Sequence, residues 1–343
     1  MIKKNILVIN EGFSNNLGDQ AINKSFAYIL KNIFKNNYFF EDLNRKTIDN
    51  YYQEKSINFN KPSVIKTWLY RLVWFFSNFS RINNAIKGKD CAFIGGGQLL
   101  LPNNIFPYVI FIWSFFLTIH KIPYYFFSVG TQGEYNFFSK WFLNFSLNNA
   151  KAIYVRDDLS KFILEKTFGV KSKLTFDIAF FLNKNYRENT TYPSNIILIG
   201  PISFQVISSY SSRFKNRNDY YEYWCNILLK NKSKNVKLFY STNEDRNECI
   251  LLQSHIKKNY FLEIELVENK SLNDFIKNIK SCEKLISGRM HSLILAKTFN
   301  KKYQTFFSSD KLKEFEKIYR HIDLSEVQNK IKKDLKYILN ELN

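Results

Sequence analysis

The residues best suited to chemistry stand together at positions 287–292, in the sequence Ser-Gly-Arg-Met-His-Ser. Arg289 and His291 follow the short apolar run at 285–286 and precede an apolar stretch with helical character. The start of a helix carries partial positive charge and favours anions. A histidine beside a fixed cation can transfer protons on an anionic substrate. The pattern therefore predicts an anion site in which His291 transfers protons. An alternative with the same spacing is that His291 only caps the helix.

A second candidate cation is Arg156, in the segment Tyr-Val-Arg-Asp-Asp-Leu-Ser at 154–160. The strand predicted at 152–155 delivers Arg156 to its carboxyl end, and Asp157 or Asp158 begins a helix. Guanidinium groups bind phosphate or carboxylate through paired donors. Two interpretations stay open: an anion-binding arginine, or an ion pair with an aspartate that fixes the turn.

Two further segments place glycine and polar residues near predicted strand ends. At 15–21, Asn-Asn-Leu-Gly-Asp-Gln-Ala, Asp19 could cap a helix whose amides hold an anion. Three successive glycines at 95–97 cost backbone entropy on folding. Two explanations stay open: a ligand or another chain segment approaches the main chain closely, or the strand ends in a tight turn. Together the strand ends predict a cleft lined by Asn16, Gly18, Asp19, Gln20, Gly96, Gly97, Gln98 and Gly130.

The elements that must position these residues alternate along the chain. Apolar runs predict strands at 6–9, 91–94, 124–129, 152–155, 196–199, 236–240, 263–267, 285–286 and 303–307. Helical spacing or length predicts helices at 19–34, 141–149, 220–229 and 248–257. This alternation indicates an α/β fold of two doubly wound, Rossmann-like domains that face a cleft. The polar stretch at 186–194 predicts domains at 1–185 and 195–343, and the C-terminal helix could pack back on the first.

Composition narrows the class of protein. The 343 residues, 45% of them hydrophobic and 23% charged, are typical of a folded chain with two cores. The net charge of +20 attracts anions, but Lys and Arg are dispersed and no nucleic-acid motif occurs, which argues against nucleic acid. The four cysteines show no paired spacing, so neither a zinc site nor a disulfide framework is expected, and a reducing cytoplasm is the simplest setting.

Three apolar segments bear on membrane contact. The run at 6–9 predicts a buried first strand rather than a signal peptide. The segment 105–119 is shorter than the ~20 residues of a spanning helix, so a buried helix is expected. The aromatic segment 68–79, with Arg71 inside it, could lie in a membrane interface or serve as a core helix or oligomer contact. We expect a cytoplasmic protein, with peripheral contact at the inner membrane left open.

Six blocks, taken in order, resemble the signature blocks of the polysaccharide pyruvyl transferase family. They extend from about residue 15 to residue 296, and the combination of GRMH with RDDLS and GDQA is the specific part. The blocks read NNLGDQA, IGGGQLL, SVGTQG, YVRDDLS, FDIAF and SGRMHSLILA.

The resemblance implies a fold similar to GT-B glycosyltransferases. It implies phosphoenolpyruvate as donor co-substrate, with no metal and no other cofactor, and a glycan or lipid-linked oligosaccharide as acceptor. Arg289 and His291 match the Arg-x-His donor site of the family, and Arg156 matches its Arg-Asp/Glu block. The other predicted donor contacts are Gly288, Ser292 and Lys311.

The sequence also departs from the family. In the family a Gly-x-Pro turn commonly follows the GRMH helix, whereas residues 299–302 of this chain are Phe-Asn-Lys-Lys. This difference affects the predicted acceptor binding more than the predicted donor binding. Two alternatives stay open. One is a GT-B glycosyltransferase that uses a nucleotide sugar in capsule or lipopolysaccharide synthesis. The other is a basic protein that docks at a membrane or in an assembly complex without turnover.

Overall fold

A computed structural model describes residues 3–45, 64–102, 105–186 and 195–342. Residues 187–194, most of the predicted linker, lie outside these ranges. Two compact units are present. Unit 1 comprises Met1–Glu11, Leu30–Asp177 and Asp334–Asn343, and unit 2 comprises Gly12–Ile29 and Ile178–Lys333.

The elements follow one another in βα alternation. The strands are β1 (Asn5–Asn10), β2 (Asn37–Asp42), β3 (Cys91–Leu100), β4 (Tyr124–Thr131), β5 (Ala152–Val155), β6 (Lys173–Leu174), β7 (Ile196–Gly200), β8 (Asn235–Leu238), β9 (Glu265–Leu266), β10 (Lys284–Ser287) and β11 (Lys302–Thr305). The α-helices are α1 (Leu17–Tyr28), α2 (Val64–Ile86), α3 (Phe106–Ile119), α4 (Phe137–Asn149), α5 (Asp158–Phe168), α6 (Phe204–Tyr210), α7 (Arg217–Lys230), α8 (Asn243–Tyr260), α9 (Leu272–Ser281), α10 (Met290–Thr298), α11 (Asp310–Tyr319) and α12 (Leu324–Asn340). A π-helical turn, Ile29–Ile33, continues α1, and a 3₁₀-helix spans Ile178–Asn185.

Unit 1 is built on a parallel sheet of six strands in the order β2-β1-β3-β4-β5-β6. Every residue of β4 is buried, as expected for a strand that is covered on both faces. The chain order reverses between β1 and β3, and the carboxyl ends of two such strands form the usual ligand crevice of an open α/β sheet.

Strand β3 corrects the prediction that it ends at residue 94. It continues through the three glycines to Leu100, and Gly95 pairs with Phe127 of β4. A Cβ atom on Gly95 would lie 2.1 Å from the Phe127 carbonyl oxygen, so the neighbouring strand requires glycine there. Of the predicted explanations for the glycines, close approach of another chain segment applies at this position.

Unit 2 contains a second parallel sheet, in the order β11-β10-β7-β8-β9. Its strands fall within a few residues of the predicted ones, and the doubly wound α/β class predicted for both halves is confirmed. The switch point of this sheet lies between β7 and β10.

Helix α1 groups with unit 2, whereas the predicted domain boundaries, 1–185 and 195–343, placed it in the first domain. Leu17 and Ala21 belong to the same buried cluster as Leu182, Leu198 and Leu295, and burial of this apolar face explains the grouping. The last part of α12 groups with unit 1, where the Lys4 ammonium donates to the Leu342 carbonyl at 2.9 Å.

Helix α3 is buried over most of its length, as predicted for 105–119, with Trp113 and Leu117 fully inside. Within the part of the chain that the structure describes, no helix is both long and apolar enough to cross a bilayer.

Candidate active site

The Arg-x-His segment lies at the switch point of unit 2. Ser287, the last residue of β10, pairs with Gly200, the last residue of β7. A Cβ on Gly288 would lie 2.6 Å from the Ile202 Cδ1 atom and 2.9 Å from the Phe306 Cδ1 atom. Glycine therefore lets the chain leave β10 between two apolar side chains and begin α10 at once, with Arg289 as its N-cap residue.

Arg289 is held side-on by a carboxylate. Its Nε donates to Asp245 Oδ2 at 2.8 Å and its Nη2 donates to Asp245 Oδ1 at 2.6 Å. The Asp245 side chain is fully buried, whereas 28% of the Arg289 side chain is exposed. Burial lowers the pKa of the Arg289 guanidinium, but the charge and hydrogen bonds of Asp245 outweigh burial and raise the pKa overall. Arg289 is therefore a fixed cation with a solvent-facing edge.

His291 lies against the start of α1. Its Nδ1 is 4.0 Å from Asp19 Oδ1, a distance at which a protonated imidazole attracts the carboxylate without a direct hydrogen bond. A Cβ on Gly18 would lie 2.4 Å from the same Nδ1 atom, so only glycine admits the imidazole there. The structure thus brings Gly18 and Asp19, which were predicted to line the cleft, next to the predicted donor residue His291.

The start of α1 is fixed by several hydrogen bonds within unit 2. The Leu17 amide donates to the Ser241 carbonyl at 3.1 Å, beyond the end of β8. Asn16 Oδ1 accepts from the Gly18 amide at 3.0 Å, so Asn16, not the predicted Asp19, is the cap. Asp19 instead lies in the first turn, 3.3 Å from the Ser14 hydroxyl, and the Gln20 side-chain amide donates to the Ser14 carbonyl at 3.0 Å. These contacts preset the Asp19 carboxylate beside His291.

Arg156 lies in unit 1 and is 2% exposed. Its Nη1 donates to Asp177 Oδ2 at 2.8 Å, and its Nε is 3.7 Å from Asp157 Oδ2. A Cβ on Gly130 would lie 2.8 Å from that Nε atom, which explains the glycine. Arg156 therefore forms an ion pair in the structure, chiefly with Asp177 rather than with the aspartate of its own turn. Its role in donor binding stays a prediction.

The remaining predicted residues fall in different surroundings. Gly96 and Gly97 have φ angles of 77° and 98°, which favour glycine, and the Gln98 side chain donates to Gln132 Oε1 at 2.9 Å. Ser292 is buried in the first turn of α10. Lys311 lies in the first turn of α11, after the edge strand β11. Donor binding by Ser292 and Lys311 stays a prediction.

Comparison with known families decides the broader identity. The family model described as polysaccharide pyruvyl transferase matches residues 16–302. The chain belongs to the polysaccharide pyruvyl transferase family. The matched span runs from the Asn16 cap to the first residue of β11 and includes Arg156, Arg289 and His291.

Solved structures share the fold of this polysaccharide pyruvyl transferase family member at low identity. UDP-GlcNAc 2-epimerase from Methanocaldococcus jannaschii is 11% identical, with 96% of this chain and 92% of that chain covered and a TM-score of 0.53. The same enzyme in complex with UDP-GlcNAc and UDP is also 11% identical, with 88% and 83% covered and a TM-score of 0.50. These likenesses show the GT-B-like fold alone. No curated protein sequence shows significant similarity.

Two acidic residues that hold the arginines of this pyruvyl transferase family member were not predicted from the sequence. Asp177 belongs to the FDIAF block but received no role, and Asp245 was not singled out. A signal for Asp245 existed, because Thr242 and Asp245 have the spacing of a helix-capping motif, and the Asp245 amide donates to Thr242 Oγ1 at 3.3 Å. What the sequence did not show is that this aspartate meets Arg289, 44 residues away.

Proposed function

We propose that the protein transfers the enolpyruvyl group of phosphoenolpyruvate to a sugar of a bacterial surface polysaccharide, or of its lipid-linked precursor, as a pyruvate ketal. One observation carries the proposal. In unit 2 a fixed guanidinium, Arg289, and an imidazole, His291, stand two residues apart at a strand-end switch point, in a chain of the polysaccharide pyruvyl transferase family.

Donor binding follows from charge. Phosphoenolpyruvate carries a carboxylate and a phosphate on a three-carbon frame, and such groups bind guanidinium through charge-assisted hydrogen bonds. Arg289 uses Nε and Nη2 for Asp245, so Nη1 is the group that we assign to the donor anion. The first-turn amides of α10 add partial positive charge, and the N-cap residue Arg289 makes no side-chain capping hydrogen bond to them.

The reaction needs three proton transfers. Protonation of the enol methylene makes the adjacent carbon electrophilic, and a sugar hydroxyl attacks that carbon and loses its proton. The C–O bond to phosphate then breaks, and a neighbouring hydroxyl closes the ketal and loses its own proton. His291 serves one of these transfers.

Ligand-induced stabilisation tests the donor. A ligand that binds only the native state stabilises it by about 2.7 kcal/mol when its concentration is about a hundredfold above Kd. We expect phosphoenolpyruvate to raise the melting temperature of the wild-type protein and to have a much smaller effect on an Arg289→Met variant. Stabilisation by a nucleotide sugar and not by phosphoenolpyruvate would favour a glycosyltransferase and overturn the proposal.

A further inference from the structure

Three helices of unit 1 expose an unusual number of large apolar side chains. Phe76 on α2 is 72% exposed and Phe137 on α4 is 76% exposed, values that normally belong to polar residues. We define the aromatic face by these and the other exposed apolar side chains of the three helices. Its members are Trp68, Leu69, Leu72, Val73, Phe76 and Phe79 on α2, Phe115 and Ile119 on α3, and Phe137, Phe138 and Trp141 on α4.

Ring contacts join these residues into one surface. Trp68 of α2 meets Phe138 of α4 with ring centroids 5.7 Å apart. On α3, Phe111 lies 5.4 Å from Trp141 and 5.9 Å from Phe115. The aromatic face is therefore continuous across the helices. A contiguous exposed apolar patch of this kind marks an interaction site rather than ordinary surface.

The charges on these helices have one sign. Helices α2, α3 and α4 contain no Asp or Glu, and their basic residues include the exposed Lys66 and Lys140. The Arg71 guanidinium lies 4.8 Å from the Trp68 ring centroid, which is within the range of a cation–π interaction. An apolar face with tryptophan and phenylalanine at its surface and lysines beside them matches the polarity of an anionic bilayer interface.

We propose that the aromatic face docks this protein on an anionic phospholipid surface. The helices lie on the bilayer, since none of those described is long and apolar enough to span it. A second copy of the chain fits less well, because a two-fold axis would bring the same basic residues together without acidic partners on these helices. Each basic residue near an anionic surface instead adds attraction. The inference is independent of the proposed reaction.

Co-sedimentation with vesicles tests the docking. We expect the purified protein to bind vesicles of equal parts phosphatidylcholine and phosphatidylglycerol, and to bind pure phosphatidylcholine more weakly. The double variant F76S/F137S should lose at least about tenfold in binding, because it removes two large apolar groups from the contact. The double variant K66E/K140E should lose at least about tenfold on anionic vesicles and little on neutral ones.

A matched control is Phe261→Ser, which changes an 89% exposed phenylalanine in unit 2 and should bind vesicles like wild type. Circular dichroism and melting temperatures should match for all variants, since every substituted side chain is exposed. Absence of wild-type binding to anionic vesicles, or equal binding by F76S/F137S, overturns the proposal. A dimer that F76S/F137S converts to monomer, without vesicle binding, would assign the face to a second copy.

Discussion

The Asp245 carboxylate binds the Arg289 guanidinium side-on, through Nε at 2.8 Å and Nη2 at 2.6 Å. Asp245 is fully buried and also accepts from the Ser203 amide at 3.1 Å, so its position is set by the protein interior. The arrangement fixes the guanidinium plane and leaves its outer edge for an anion. Asp245 is thus a positioning residue for Arg289.

Replacement of Asp245 by asparagine should test this role. The substitution keeps the size but removes the charge, so we expect the free energy of unfolding to fall by about 1.5–3 kcal/mol, since a charged hydrogen-bonded pair is lost. Binding of phosphoenolpyruvate should weaken by about tenfold, because Arg289 is no longer held. Chemical denaturation and donor titration measure the two effects.

The matched control for Asp245 is Glu268→Gln, which breaks the exposed pair with Arg246 at 2.8 Å. That change should affect stability much less than Asp245→Asn, as is usual for surface ion pairs, and leave donor binding unchanged. Equal donor affinity in Asp245→Asn and wild type would show that Arg289 does not depend on its partner.

His291→Ala should lower the turnover rate by at least ~100-fold with the fold intact, because it removes a proton-transfer group. His255→Ala is the control, since His255 lies in the same unit and hydrogen-bonds exposed residues, among them Glu222 through Oε1 at 3.0 Å. Steady-state rates and melting curves of both variants are the measurement. Near-normal turnover of His291→Ala would remove this residue from the chemistry.

Gly18→Ala should impair turnover through His291. In most helices this change is stabilising, but here the new methyl would lie 2.4 Å from the imidazole Nδ1 and must displace it. We expect at least a tenfold drop in kcat with a smaller effect on donor affinity. Gly88 has a φ of 66°, so the control there is Gly88→Asn, a residue that tolerates this conformation, and it should turn over normally. Unchanged kcat in Gly18→Ala would mean that the imidazole position is not critical.

Arg156 has a structural role in its ion pair with Asp177 and a predicted role in donor binding, and two variants separate these roles. Arg156→Met leaves Asp177 buried without its cation, which should destabilise the protein by about 3–5 kcal/mol. The double variant Arg156→Met with Asp177→Asn removes both charges and should recover much of that stability. If Arg156 also binds the donor, the recovered protein should still bind phosphoenolpyruvate at least about tenfold more weakly. Recovery of affinity together with stability would restrict Arg156 to a structural role.

The pH response of the thiols is also predictable. Burial raises the pKa of Cys91 and of Cys282 to about 12, and that of Cys225 to about 11. The thiolate is the reactive form, and a raised pKa keeps these thiols protonated as the pH rises from 7 to 9. Iodoacetamide labelling of the native protein should therefore stay slow across this range and become rapid on unfolding. Rapid labelling of the native protein at pH 8 would contradict the burial of these side chains.

Local patterns predicted the fold well where burial is complete. The apolar runs at 6–9 and 124–129 became β1 and β4, because central parallel strands are covered on both faces. Strands β2 and β6 were missed, since both lie at sheet edges and are partly exposed, so their residues are mixed in polarity.

The candidate site was predictable only in part, for a geometric reason. Arg289 and His291 are two residues apart, and their spacing before a helix is a local signal. Their partners lie far away in the sequence: Asp245 is in the first turn of α8, which follows β8, and Gly18 is in the first turn of α1. Asp245 lies near Arg289 because of the strand order β10-β7-β8, and Gly18 lies near His291 because α1 groups with unit 2. Sequence spacing carries no direct signal for contacts of that kind.

The most direct test is mass spectrometry of a lipid-linked glycan incubated with the protein and uniformly ¹³C-labelled phosphoenolpyruvate. The account predicts that the glycan gains the mass of one labelled pyruvate ketal, that one phosphate is released for each ketal, and that His291→Ala abolishes most of the gain. Release of phosphate with no labelled carbon on the glycan, or transfer of a sugar from a nucleotide donor in its place, would contradict it.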